Sequence, residues 1–180
     1  MSHDWISSGS WSFDEDAKKR MEAVMQCVVG DSLLDVGCRD GTFSLTYARE
    51  HPDVKVVGFD TDASAVDFAN LQAIAHGLDN ATYFQVSIFD SFGPTTLGSF
   101  STVVCMETLE HLPQNRVQEA NDMLLRYTKK RSRLIITVPA NRHISDEDHK
   151  RLFYREELHG RVTWIDVPFL WLGYYVDSEG

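Results

Sequence analysis

The chain has 180 residues, of which 43% are hydrophobic and 11% aromatic, so its length and composition suit one folded domain and exclude a disordered segment. No apolar run approaches the roughly 20 residues that a membrane-spanning helix needs, and the first residues lack the basic and apolar blocks of a secretory signal. The formal net charge of −10 argues against nucleic acid as a partner, because such affinity comes largely from lysine and arginine contacts with phosphate.

The cysteines indicate a reducing compartment. Cys27, Cys38 and Cys105 are odd in number, widely spaced and without a Cys-x-x-Cys pair. This usage favours neither a disulfide framework nor a zinc site. We therefore predict a cytoplasmic protein, and the sequence leaves its oligomeric state open.

Apolar, β-branched runs alternate with helical patterns along the chain, which is typical of an α/β fold with a mainly parallel sheet. Ser12 and Glu15 form a capping box for the first helix, and Asp62 can cap a later helix that Gly77 would terminate. In chain order we predict a helix at 13–29, a strand at 32–37, a helix at 42–50, a strand at 54–59, a helix at 62–76, strands at 82–86 and 100–106, a helix at 117–127, a strand at 134–138 and two strands within 162–176.

These elements predict a Rossmann-like sheet of seven mostly parallel strands with helices on both faces and an antiparallel final strand. Residues 1–180 are expected to form a single domain, and the last two strands are expected to pair antiparallel at the sheet edge. The basic run Lys129–Arg131 follows a predicted helix, so we interpret it as a solvated group favoured by the helix dipole rather than as a nucleic-acid patch.

The most informative segment, Leu33–Thr42, reads LLDVGCRDGT and joins the first strand to a helix, where open α/β sheets bind their ligands. Gly37 and Gly41 allow a sharp turn whose backbone can approach a ligand. Asp60 follows the next strand, which is the expected position for a carboxylate that binds ribose hydroxyls. Dinucleotide enzymes carry Gly-x-Gly-x-x-Gly instead, and the acidic Asp35 beside this turn would repel a pyrophosphate but suits an ammonium group.

The chain resembles the class I S-adenosylmethionine-dependent methyltransferases in three blocks, LLDVGCRDGT (33–42), VVGFD (56–60) and VVCMETLEHL (103–112). The resemblance implies that the methionine part of S-adenosylmethionine lies against Asp35, Gly37, Cys38, Gly41 and Met106. It implies that the adenosine part lies against Asp60, Thr61, Ser87 and Ile88.

The chain departs from the family pattern at three positions. Arg39 stands where the family most often has a glycine, so its side chain is expected to point outward. Ser87 replaces a usual acidic partner of the adenine, and Ser101 replaces a common aspartate. These departures leave open the alternative that the chain is a methyltransferase fold that binds a ligand or partner without catalysing a reaction.

A polar cluster follows the fourth strand. Glu107, Glu110 and His111 would share a face if a helical turn forms there, and a second polar group, which includes His149, follows the fifth strand. Such groups can supply a general base for a hydroxyl nucleophile or bind a divalent metal. We predict His111 and His149 as base or acceptor-orienting residues, with Glu107 and Glu110 in support.

Two families carry a similar Glu-x-x-Glu-His block, the ubiquinone-pathway O-methyltransferases and the small-RNA 3′-terminal 2′-O-methyltransferases. In the RNA enzymes, two glutamates and two histidines hold magnesium. We favour a metal-free site and a small-molecule acceptor, with methyl transfer to a hydroxyl or amine. An RNA-terminal ribose methyltransferase with a metal site is the alternative, which the net charge opposes.

Overall fold

The computed structural model describes residues 15–90, 94–139, 162–167 and 170–176. The strands are β1 (Ser32–Val36), β2 (Lys55–Asp60), β3 (Ala81–Gln85), β4 (Phe100–Met106), β5 (Thr128–Pro139), β6 (Val162–Val167) and β7 (Leu170–Val176). The helices are α1 (Glu15–Cys27), α2 (Thr42–Glu50), α3 (Ala63–Ala75), the four-residue α4 (Pro94–Leu97) and α5 (Val117–Arg126). The α/β class expected from the sequence is confirmed.

The seven strands within the described residues form one sheet with the order β3-β2-β1-β4-β5-β7-β6. The neighbours from β3 to β5 pair in parallel, whereas β7 runs antiparallel to both β5 and β6. The expected pair within 162–176 corresponds to β6 and β7. The direction of winding reverses between β1 and β4, and in such sheets the crevice beyond the carboxyl ends of these two strands is the usual ligand site.

Hydrophobic clusters cover both faces of the sheet because consecutive strand residues point to opposite sides. Leu33 packs with side chains of α1, α2 and α3, whereas Leu34 packs with side chains of α5. Every residue of β1 is buried, as expected for a central parallel strand covered by helices on both faces.

Local signals set the ends of α3 as predicted. Asp62 accepts hydrogen bonds from the backbone amides of Ser64 and Ala65 at 2.9 and 3.2 Å, and Gly77 follows the helix with φ of 64°. The start predicted for α1 lies outside the described residues. This helix ends at Cys27, before the predicted end, because Val29 bonds through its backbone to the Thr102 hydroxyl.

The basic run Lys129–Arg131 comes shortly after α5, and Lys130 and Arg131 are exposed, as the sequence analysis expected. The sequence analysis did not predict that the run is part of a strand. The run belongs to β5, which starts at Thr128 opposite Phe100 and shifts register before Arg133. The Lys129 ammonium lies 2.9 Å from the Asp31 carboxylate beside β1. Pairing with β4 and this ion pair therefore extend the strand beyond its apolar part.

Among the described residues, no helix is both long enough and apolar enough to cross a membrane.

Candidate active site

A cavity of about 800 Å³ opens at the carboxyl ends of β1, β2 and β4. It lies at the reversal of strand order. Of the predicted site residues, Asp35, Gly37, Cys38, Asp60, Thr61, Ser87, Ile88, Met106, Glu107 and His111 line it. The fold thus brings together residues from four stretches of the sequence, 35–38, 60–61, 87–88 and 106–111.

The turn after β1 forms one wall. Gly37 has φ of 73°, and the amides of Gly37 and Cys38 donate to the Phe59 carbonyl at 2.9 and 3.1 Å. A side chain at Gly37 would collide with Thr108, so this position requires glycine for space as well as for conformation. Arg39 adopts the same left-handed region, with φ of 51°, and its side chain is exposed as expected.

Gly41 does not line the cavity, although the resemblance placed it against the methionine part. It precedes α2 with φ of 75°, and a Cβ there would lie 3.0 Å from the Ala69 Cβ and 3.1 Å from the Tyr83 ring. This position requires glycine because α2 approaches α3 and β3 closely here. Gly41 therefore shapes the cavity from behind its wall.

Asp60 ends β2 with its carboxylate held in one orientation. One oxygen accepts from the Arg39 amide at 2.8 Å, and the other accepts from the Asp62 amide at 2.9 Å. Each carboxylate oxygen has a second lone pair, so two further donors can bind without displacing these amides. The group is thus preorganised to accept hydrogen bonds from a diol.

The loop after β3 forms the opposite wall. The Ser87 amide donates to the Asp90 carboxylate at 2.8 Å, and the Phe89 amide donates to the Ser87 hydroxyl at 3.2 Å. Ile88 is buried in the core beneath this loop. Phe89 also lines the cavity, a position that the sequence analysis missed although it directly follows Ile88.

Asp35 supplies a buried carboxyl group to the cavity wall and is 3% exposed. Burial raises the pKa of Asp35 to about 7, the Ser44 hydroxyl opposes this shift, and the charges of Asp60 and Asp40 add to it. An ammonium group beside Asp35 would favour the ionised form. This wall therefore suits a cationic ligand better than an anionic one.

Replacing Asp35 with asparagine should raise the free energy of unfolding at pH 8 by about 2–4 kcal/mol and change it much less at pH 4. The raised pKa means that the native state keeps a proton that the unfolded chain, with a pKa near 3.9, has lost. Stability of the parent therefore falls as pH rises from about 4 to about 7. Urea unfolding without ligand at both pH values measures the difference.

Asp67→Asn is the matched control, because it removes an exposed carboxylate on α3 away from the cavity. Asp67→Asn should change the free energy of unfolding only slightly, and by the same amount at pH 4 and pH 8. An Asp35→Asn variant that keeps the pH dependence of the parent would contradict the assignment.

The polar cluster after β4 is divided by the fold. Glu107 and His111 line the cavity, whereas Glu110 is 1% exposed and lies outside the lining. Glu107 has φ of 49° and precedes a short 3-10 turn, Leu109–His111, so residues 107–111 do not share the expected helical face. His149 and the rest of the second polar group lie outside the described residues.

The two glutamates have different surroundings. The Glu107 carboxylate lies 2.6 Å from the Arg20 guanidinium and accepts from the Thr137 hydroxyl at 2.9 Å. Within the described part of the chain, neither oxygen of Glu110 has a hydrogen-bond partner, and burial followed by the charge of Glu107 raises the pKa of Glu110. Glu107 is thus fixed by its neighbours, and Glu110 is a buried acid that favours its neutral form.

Helix α1 also contributes to the site, which the sequence analysis did not predict. Ala17, Arg20 and Met21 line the cavity near Glu107. The spacing of Ala17, Met21 and Val24 in the sequence indicates one buried face of this helix, but no local signal indicates which part of the sheet that face covers.

Comparison with known proteins agrees with this geometry. A family model described as "Methyltransferase domain" matches residues 33–131, which is more than half of the chain. A ubiquinone biosynthesis O-methyltransferase of Albidiferax ferrireducens is 36% identical over 86 residues, which are 48% of this chain and 33% of that protein. The chain thus spans about a third of the length of the curated relatives it matches.

Two solved structures show the same fold at low sequence identity. Magnesium protoporphyrin IX methyltransferase of Synechocystis PCC 6803, with bound SAH, superposes with a TM-score of 0.71 at 16% identity, over 94% of this chain and 90% of that one. The small RNA methyltransferase HEN1 superposes with a TM-score of 0.78 at 17% identity, over 96% of this chain and 27% of that one.

The strand order, the acidic glycine turn after β1 and the family match point to one conclusion. The chain belongs to the methyltransferase domain family, among the class I S-adenosylmethionine-dependent methyltransferases.

Proposed function

We propose that residues 1–180 act as one domain that binds S-adenosylmethionine and transfers its methyl group to a hydroxyl or amine of a small molecule, or to an exposed group of a larger one. The carrying observation is that Asp35 and Asp60, at the ends of adjacent strands, line one cavity that continues to His111. That arrangement suits a ligand with an ammonium group at one end and ribose hydroxyls at the other.

The residues around the cavity fit the ligand in parts. The Asp60 carboxylate accepts hydrogen bonds from the ribose hydroxyls, and Thr61, Ser87 and Ile88 surround the adenine. Asp35, Gly37, Cys38 and Met106 surround the methionine part, while Gly41 keeps α2 close behind them. A volume of about 800 Å³ falls in the upper part of the usual range for ligand sites, roughly 300–1,000 Å³, which suits an acceptor beside the methyl donor.

The protein contributes alignment and proton removal. S-adenosylmethionine supplies a methyl group that its sulfonium has already activated. The cavity walls hold the acceptor atom in line with that methyl group, which lowers the entropic barrier. His111 takes the proton of a hydroxyl acceptor, and Glu107, fixed by Arg20 and Thr137, orients the acceptor beside it.

S-adenosylhomocysteine should bind with a micromolar-class dissociation constant, and NAD should not bind, because Asp35 repels a pyrophosphate. Isothermal titration calorimetry with both ligands measures this preference. Transfer of a tritiated methyl group to pools of small metabolites and of RNA would then identify the class of acceptor. Binding of NAD, or of neither ligand, would refute the proposal.

An RNA-terminal ribose methyltransferase with a metal site is a second candidate. One observation favours it: neither side-chain oxygen of the buried Glu110 has a hydrogen-bond partner among the described residues, and a bound cation is one explanation for such a group. The net charge of −10 opposes it. Among the described residues, no group of three or more His, Cys, Asp or Glu side chains is arranged to hold a metal ion, and His149 lies outside them.

We place the protein in the cytoplasm, where its three cysteines would stay reduced. All three are free thiols, and burial raises the pKa of Cys38 and Cys105. They are thus better suited to packing than to nucleophilic chemistry.

A further inference from the structure

An arginine and a phenylalanine that are far apart in the sequence stack beside the cavity. The Arg116 guanidinium lies 3.5 Å from the centroid of the Phe89 ring. Phe89 belongs to the loop after β3 and lines the cavity next to Ser87 and Ile88. Arg116 ends the 3-10 turn Gln114–Arg116 just before α5 and does not itself line the cavity.

Both partners are held in place. Arg116 donates from Nε and Nη2 to the two carboxylate oxygens of Glu119, at 2.9 and 3.0 Å, which fixes the plane of the guanidinium. The backbone of Phe89 is fixed by its bond to the Ser87 hydroxyl, in a loop that Asp90 closes. The stack therefore joins the start of α5 to the loop that lines the cavity.

We propose that Arg116 is a positioning residue for the base-binding end of the cavity, which it serves by holding the Phe89 ring against a bound purine. This inference rests on the proposed function, because it takes the ligand to carry adenine beside Ser87 and Ile88. A flat cation over one face fixes the orientation of an aromatic ring, which an aliphatic neighbour does not. The ring then presents a rigid apolar surface to the base.

Arg116→Met should raise the dissociation constant of S-adenosylhomocysteine by roughly three- to tenfold, measured by calorimetry. Phe89→Leu should weaken binding by a similar factor. The double variant should be no weaker than Phe89→Leu alone, because both changes remove the same surface. The ligand-free variants should keep their unfolding temperatures within a few degrees of the parent.

Two controls separate positioning from a general structural role. Arg126→Met removes the same charge from an exposed residue of α5 that contacts Met123 instead, so it should leave binding unchanged. S-ribosylhomocysteine lacks the base, so its affinity, measured by competition against S-adenosylhomocysteine, should be equal in the parent and in Arg116→Met.

The outcomes distinguish this inference from the function on which it rests. A parent protein that does not bind S-adenosylhomocysteine would overturn the proposed function. A parent that binds it, together with an Arg116→Met variant that binds equally well, would overturn the positioning role alone. An equal loss of affinity for S-ribosylhomocysteine would also overturn that role, because the effect would not depend on the base.

Discussion

Replacing His111 with alanine should lower the rate of methyl transfer by roughly two to four orders of magnitude, while S-adenosylhomocysteine still binds. His111 lines the cavity, as Glu107 does, and lies at the end of the 3-10 turn after β4. In the proposed function it takes the proton of the acceptor. Its loss would remove proton transfer but leave the walls around Asp35 and Asp60. Single-turnover rates with a saturating methyl donor, alongside calorimetry, separate the two effects.

The matched control is His51→Ala. The His51 ring stacks on the Tyr47 ring, with 4.2 Å between the ring centroids, and His51 does not line the cavity. This variant should leave the rate of methyl transfer unchanged. His149→Ala should reduce the rate like His111→Ala if both histidines act on the acceptor, as the sequence analysis predicted. Full activity in both histidine variants would refute the catalytic assignment and leave alignment as the main contribution of the protein.

Adding a chelator distinguishes a metal-free site from a metal site at Glu107, Glu110 and the two histidines His111 and His149. In a metal-free site, a chelator leaves the rate unchanged, and this is the result that we expect. Activity that a chelator abolishes and magnesium restores would instead assign a cation to Glu107, Glu110 and the histidines, and would favour the RNA-terminal alternative.

Replacing Asp60 with alanine should weaken binding of S-adenosylhomocysteine at least tenfold. A carboxylate that accepts two hydroxyl hydrogen bonds contributes about 2–4 kcal/mol, and the amides of Arg39 and Asp62 already hold this one in its binding orientation. Calorimetry gives the dissociation constant, and urea unfolding verifies that the domain remains folded.

Asp62→Ala is the matched control for this prediction. It removes a carboxylate two residues away that caps α3 and does not line the cavity. Loss of the cap should lower stability by about 1 kcal/mol and leave the dissociation constant unchanged. An unchanged dissociation constant in Asp60→Ala would show that Asp60 does not bind the ribose.

The sequence by itself determined most of the helices and strands, and it determined which strand ends border the cavity. Asp35, Gly37 and Asp60, which line the cavity, could be predicted to lie near one another because each follows or ends an apolar run, and parallel strands bring their carboxyl ends to one edge. The Asp62 cap and the Gly77 terminator were equally readable, because their bonds and conformations involve only nearby residues. Local chemistry is sufficient for such features.

Only the tertiary structure decided which side chains meet around the cavity. Arg20 contacts Glu107, Phe89 stacks on Arg116, and Gly41 packs behind the wall rather than in it. Glu110 was expected beside Glu107 on one helical face, but the left-handed backbone at Glu107 directs Glu110 into the core. These contacts depend on how helices pack on the sheet and on the register between distant strands, and neither leaves a periodic pattern in the sequence.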